Sequence, residues 1–228
     1  MDVSVIIPVY NERQIIDSFL GSVERFASQA EVIFVDGGST DGSDLIVERW
    51  CHGKASFVRS EKGRSKQMNE GARAASGDAL MFLHSDSFAP SNMISEIKRV
   101  LTAYHWGCFG IRFDSKDPLM KICQIISNNR IKDRKVVFGD QGIFIRKELF
   151  FEVGGFPDLP IMEDYQFSLT MKERSEKIGI AKGLITTSDR RYKRGQKLSV
   201  MWKMNRLRKQ YRDGIDIDII ADQYRDIR

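Results

Sequence analysis

Three apolar runs in this chain stop abruptly at groups able to bind a ligand or react with one. Val3, Val5, Ile6, Ile7 and Val9 give way to Tyr10, Asn11 and Glu12. Val32, Ile33, Phe34 and Val35 give way to Asp36, Gly37, Gly38 and Ser39. Residues 79–83 stop at His84, Ser85 and Asp86, and further on Pro160 is followed by Glu163 and Asp164. A carboxylate in such a place can accept a hydrogen bond from a base, ligate a divalent cation or take a proton. Pro8 stiffens the first exit, so Tyr10, Asn11 and Glu12 emerge where a ligand can sit. Gly37 and Gly38 let backbone approach that ligand closely. Glu163 and Asp164 open a helix, whose N-terminus favours negative charge.

Elements that deliver such groups follow from the pattern around them. A fully apolar strand ending in small and acidic residues belongs to a parallel sheet buried on both faces, with the ligand at its carboxyl edge. Strands are expected at 3–9, 31–35, 55–59 and 79–83. Helices are expected between them at 12–27, 41–50 and 64–75, the last opened by Gly63, and a further helix at 91–103. Ile15, Ile16, Phe19, Leu20, Val23 and Phe26 make the apolar stripe of the first helix. Asp41 or Ser39 is placed to cap the second. This alternation predicts an α/β fold, a doubly wound and mostly parallel sheet flanked by helices. The second half is less regular: strand 108–113, helix 118–131, strand 142–146, helix 147–153, a helix from Glu163 and a closing strand near 180–187. A basic helix is expected at 195–213, followed by a segment that alternates acidic and apolar residues.

Bulk properties exclude several classes. With 228 residues, 42% hydrophobic and 29% charged, the chain suits one soluble α/β domain with a tail. No apolar run reaches the roughly 18 residues of a membrane span. Met1 and Asp2 lead straight into a strand, so a signal peptide is not expected and the reading is cytoplasmic. Cys51, Cys108 and Cys123 are odd in number, far apart and set among apolar residues, which reads as reduced core thiols without zinc spacing. The net charge of +5 is concentrated late, in Arg190, Arg191, Lys193, Arg194 and Lys197 and again between Lys203 and Arg212. Such a cluster suits pyrophosphate, an acidic lipid or nucleic acid, or is a solvated helix face. The aromatic and arginine interleaving of a nucleic-acid-binding sheet is not evident, so no nucleic acid is expected.

Several ordered motifs together resemble the family 2 glycosyltransferases of the GT-A fold, across roughly residues 1–190. They are PVYNE at 8–12, VDGGSTDGS at 35–43, GRSKQMNEGARAASGDALMFLHSDS at 63–87 and GDQGIFIRKELFFEVGGFPDLPIMED at 139–164. With TTSDRRY at 186–192 they resemble one cytosolic branch of that family. The resemblance implies a nucleoside-diphosphate sugar held by Pro8, Tyr10, Asn11, Glu12, Asp36 and Gly38, with Asp36 facing uracil or guanine. Arg64, Lys66 and Asn69 are placed to reach phosphate or ribose, or to face solvent. His84-Ser85-Asp86 stands where such proteins carry Asp-x-Asp, the motif that holds Mn2+ or Mg2+ against the diphosphate. The first acid is replaced by His84, which either joins Asp86 as a metal ligand or hydrogen-bonds ribose as a neutral ring, with Ser85 beside it. Many relatives add a late histidine; this chain has none after His105, and Arg190 and Arg191 are placed to supply charge instead. The resemblance makes Asp164 the general base, with Glu163 beside it and Gln141 positioning sugar or acceptor.

The expected activity is inverting transfer of a sugar from a UDP- or GDP-type donor to the hydroxyl of a glycan, lipid or small-molecule acceptor. Residues 1–190 would form the transferase domain and 191–228 a basic helical extension that caps the domain, makes a homodimer or rests on a membrane surface. Two alternatives share the scaffold: a non-catalytic nucleotide-sugar binding module, given the altered metal motif, and a nucleotidyltransferase. The absence of GxGxxG and of GxxxxGK[ST] counts against dinucleotide binding and a P-loop. A phosphatase with Asp-x-Asp after its first strand is excluded by Asp36-Gly37-Gly38.

Overall fold

The computed structural model describes residues 1–188 and 197–225. Its first half is the expected alternation. β1 (Val3–Val9), β2 (Glu31–Asp36), β3 (Ser56–Arg59) and β4 (Ala79–Phe82) pair in parallel in the order β3-β2-β1-β4. They are linked by α1 (Ile16–Ala27), α2 (Ser43–Cys51) and α3 (Arg64–Ala74). All seven residues of β1 are buried, because helices cover both faces of the sheet. Successive side chains point to opposite faces. Val5 and Ile7 join Phe19, Val23 and Ile97 in one apolar cluster, while Ile6 joins Val35, Met68 and Ala72 in another.

The second half mixes directions. It comprises β5 (Ser87–Phe88), α4 (Met93–Val100), β6 (Trp106–Asp114), α5 (Pro118–Arg134), β7 (Ile143–Arg146), α6 (Lys147–Glu152), α7 (Glu163–Glu173) and β8 (Ile178–Ser188). β7 runs antiparallel to both β4 and β6, β6 is parallel to β8, and β5 closes the edge antiparallel to β8. The result is one eight-stranded sheet, mostly parallel, with helices on both faces. α5 starts where Asp117 accepts a hydrogen bond from the Leu119 N–H at 2.9 Å and Pro118 takes the first helical position, a cap that removes two orphan donors.

Two helices follow the sheet, α8 (Lys197–Arg212) and α9 (Ile217–Arg225). The alternation of acid and apolar residues near the end of the chain conceals a helical stripe. Ile217, Ile220, Ala221 and Tyr224 fall at helical spacing and pack against Ile161, Met162, Tyr165 and Leu207. The expected boundary between residues 190 and 191 lies outside the described residues. The first helix begins at Ile16 and not at 12, because the Ile15 and Ile16 N–H groups both donate to the Glu12 carbonyl in a turn. The three cysteines are buried and unbridged. Among the described residues no helix is long and apolar enough to cross a membrane.

Candidate active site

The carboxyl ends of β1 and β4 border a cavity of about 570 Å³, within the size range of pockets that take small ligands. Pro8, Tyr10, Asn11 and Glu12 line it from the first strand and His84, Ser85 and Asp86 from the fourth. Arg64 enters from the start of α3. The local fold explains why these groups meet. Gln67 Nε2 donates to the carbonyls of both Val9 and Val35 at 2.8 Å, which ties the ends of β1 and β2 together. Asn11 has φ +54° and locks the two loops: its N–H donates to Ser39 Oγ, and its Oδ1 accepts from the Thr40 N–H. Lys62 stacks its ammonium 4.4 Å from the Tyr10 ring, adding a second cation to the rim.

A second, smaller chamber of about 200 Å³ shares Arg64, His84, Ile161 and Tyr224 with the first. Asp164 lines this chamber. Its Oδ2 accepts from the Gly139 N–H and its Oδ1 from the Tyr165 N–H, both at 2.7 Å. Each oxygen keeps a lone pair for a further donor. Burial, and then the neighbouring Glu163 charge, push the Asp164 carboxyl up to about 6 from an ordinary 3.8. Gly139 is required where it stands, since a Cβ there would lie 2.6 Å from His84 Nε2. His84 is itself buried at the junction of the two chambers.

Glu163 does something other than face a ligand. It is 1% exposed, and its Oε1 accepts from Arg64 Nε across 99 residues of sequence. Burial opposes its ionisation, but the Arg64 charge and hydrogen bond override that and hold its carboxyl below the usual range. The pair clamps the start of α7 to the start of α3, and so fixes Asp164 relative to the larger cavity.

Several residues expected at the ligand make structural contacts. Asp36 is buried, and its carboxylate accepts the Gly38 N–H at 2.9 Å and the Ser39 N–H at 3.1 Å, which shapes the turn. Gly38, at φ +82°, serves that same turn. Lys66 is drawn to Glu61 at 2.6 Å on the surface and does not line the cavity. Asn69 bonds the Phe156 carbonyl at 2.7 Å and the Phe156 N–H at 3.0 Å, so it braces a loop and contacts no ligand space. Gln141 is fully buried; its Oε1 accepts from Arg130 at 3.0 Å and from the Phe138 N–H at 3.1 Å, which leaves it no surface for a sugar. Arg190 and Arg191 lie outside the described residues. Asp41 accepts from the N–H and hydroxyl of Ser43 and from the Arg13 N–H, bracing the loop ahead of α2; the N-cap itself is Gly42, with no side-chain cap from Asp41 or Ser39. Lys62, Gln67, Pro160 and Tyr224 also line the larger cavity, and the sequence motifs did not assign them to it.

A sequence model described as Glycosyl transferase family 2 matches residues 4–150. The chain belongs to that family. A relative from Haemophilus influenzae, named as an uncharacterized glycosyltransferase, is 30% identical over 181 residues, covering 74% of this chain and 61% of that protein. Another from Mycobacterium tuberculosis is 30% identical over 184 residues, covering 73% of this chain and 67% of that protein. The chain thus spans about three fifths to two thirds of these relatives. Among solved structures, a Pyrobaculum calidifontis mannosyltransferase in complex with GDP-Man and Mn2+ aligns with a TM-score of 0.65 at 23% identity, covering 97% of this chain and 69% of that one. S. aureus TarS in complex with UDP-GlcNAc aligns with a TM-score of 0.65 at 20% identity, covering 83% and 59%. These likenesses establish the GT-A type of sheet. The family match ends before Glu163 and Asp164, so their roles rest on geometry.

Proposed function

We propose that the chain is an inverting glycosyltransferase that moves a sugar from a UDP- or GDP-type donor to an acceptor hydroxyl. The observation that carries this reading is the joining of two chambers at His84 and Arg64, one lined by Asp86 and the other by Asp164. The donor takes the larger chamber, its diphosphate near Arg64 and Lys62 and its nucleoside against Pro8, Tyr10 and Asn11. The solved neighbours bound to GDP-Man and UDP-GlcNAc support a donor of this class.

Asp164 acts as general base. Its raised pKa keeps a carboxylate available at neutral pH yet basic enough to take a proton as the acceptor oxygen forms its bond to the anomeric carbon. The bond to the donor diphosphate breaks as that electron pair leaves on the nucleotide. A single base on the face opposite the leaving group gives inversion, with no need for the second carboxylate of a glycosidase. Glu163 is occupied by Arg64 and is not that second group.

A divalent cation fits this site. Asp86 and His84 both line the donor chamber at the end of β4, and a carboxylate with an imidazole suits Mn2+ better than Mg2+. Among the described residues no group of three His, Cys, Asp or Glu is clustered for a metal. The remaining ligands would therefore be diphosphate oxygens and water, a common arrangement for such ions. When bound, the ion neutralises charge on the leaving diphosphate. Thermal unfolding with UDP, GDP, CDP and ADP, each with Mn2+ or with EDTA, tests the reading. Stabilisation by UDP or GDP supports it, and no stabilisation by any of the four contradicts it.

A further inference from the structure

The smaller chamber continues as a groove between α5 and α8. Cys123, Ile126, Ser127 and Arg130 line it from α5; Met201, Met204, Asn205 and Arg208 line it from α8. Both sets follow i, i+3, i+4, i+7, so each helix presents a single stripe. Cys123 Sγ and Met201 Sδ, 3.1 Å apart, join the two helices at one end.

The chemistry changes along the groove. Its early end is apolar, with Cys123, Ile126, Met201 and Met204. Its late end is cationic, with Arg130 and Arg208. Seven residues of helix separate the two ends by about 10 Å. The cationic end is the catalytic end. The Arg130 and Arg208 guanidinium groups lie 4.1 Å and 5.2 Å from the Phe138 ring, and the next residue, Gly139, donates to Asp164. Asp140 faces the same space and offsets part of this charge.

The apolar end reaches the surface. Ile126 is 57% exposed, Ile122 and Ile125 on the same helix are exposed at 52% and 58%, and Trp202, next to Met201 on α8, is 64% exposed. Three exposed isoleucines on one face of α5, with an exposed tryptophan on α8, leave apolar surface of the kind that marks a binding surface. α8 carries six basic and no acidic residues between 197 and 212, so the patch is bordered by positive charge.

We propose that this groove is the acceptor site for a phospholipid, with the acyl chain leaving between Ile126 and Trp202 and the phosphate held by Arg130 and Arg208. Paired guanidinium groups match phosphate oxygens in a bidentate way. A head-group hydroxyl beyond the phosphate then meets Asp164, gives it the proton and bonds the anomeric carbon as the nucleoside diphosphate departs. This assignment rests on the transferase reading and on Asp164 as its base.

A matched set of soluble probes tests it by calorimetry: monoacyl phosphatidylglycerol below its micellar concentration, monoacylglycerol, which lacks phosphate, and sn-glycerol 3-phosphate, which lacks the chain. UDP and GDP are titrated alongside. The whole lipid is expected to bind at least about tenfold more tightly than either fragment, as loss of a charge-assisted hydrogen bond or of a buried chain implies. Arg208→Gln and Ile126→Asn should each erase most of that advantage; both lie on exposed or half-exposed helix positions, and an unchanged Tm shows that they fold. Equal binding of glycerol 3-phosphate overturns the lipid, and equal binding of monoacylglycerol overturns the phosphate. If UDP or GDP binds and the lipid does not, the acceptor assignment fails while the donor reading stands. If nothing binds, both fail.

Discussion

Asp164 sets a pH dependence that stability and turnover should share. Its carboxyl is buried and raised to about 6 from an ordinary 3.8. Each pH unit is worth about 1.4 kcal/mol, so the ionised carboxylate costs the fold about 3 kcal/mol. The folded chain holds this proton more tightly than the unfolded chain. Its contribution is therefore fully favourable below pH 3.8 and is lost as pH rises through about 6. Glu163, held below its usual range by Arg64, acts in the opposite sense at lower pH. The comparison of the wild type with Asp164→Asn isolates the Asp164 proton together with its coupling to Glu163. From urea midpoints, the wild type should gain about 2–3 kcal/mol on the variant as pH falls from 7 to 4. Sugar transfer should lose activity below pH 6, about tenfold per unit, and Asp164→Asn should lower kcat about 10²–10⁴-fold. A flat stability difference between pH 7 and 4, or full activity at pH 4.5, refutes the reasoning that burial poises this carboxyl as a base.

Other perturbations have separate signatures. Arg64→Ala leaves Glu163 charged and buried, which should cost about 3–5 kcal/mol by urea unfolding, far more than a surface pair. Asn69→Ala removes two hydrogen bonds to Phe156 and should cost about 1–3 kcal/mol, with nucleotide affinity unchanged in calorimetry. Gly139→Ala should displace the His84 ring or the Gly139 N–H that Asp164 accepts, and single-turnover rates should fall more than donor affinity does.

Much of the fold is legible in the sequence, for a physical reason. β1 and β4 are buried on both faces, so each is an unbroken apolar run whose end is visible. Asp86 stands just beyond the end of β4, and Asp164 stands in the first turn of α7, marked by the preceding Pro160 and the adjacent Glu163. The contact of Asn69 is not legible, because its partner Phe156 lies 87 residues away and is brought near only by the fold; Asp36 and Gln141 bond groups close by in sequence, and nothing in their letters marks that. A carboxylate facing a turn N–H and one facing a base carry the same letter. The partnership of Arg64 with Glu163 spans 99 residues and leaves no periodic trace. The groove had a signal that went unused. Residues 123, 126, 127 and 130, and likewise 201, 204, 205 and 208, each repeat with a helical period, but a stripe does not name the element it faces. Tyr224 lay in an alternating segment, where a period of two masked one of 3.6.

The central claim is that donor and base occupy separate but joined chambers. Calorimetric titration of UDP and GDP into the wild type, Asp86→Ala and Asp164→Asn, each with Mn2+, tests it most directly. The account predicts that one nucleotide binds the wild type and Asp164→Asn with similar affinity and that Asp86→Ala abolishes binding. Loss of binding in Asp164→Asn with retention in Asp86→Ala, or no binding to the wild type, contradicts it.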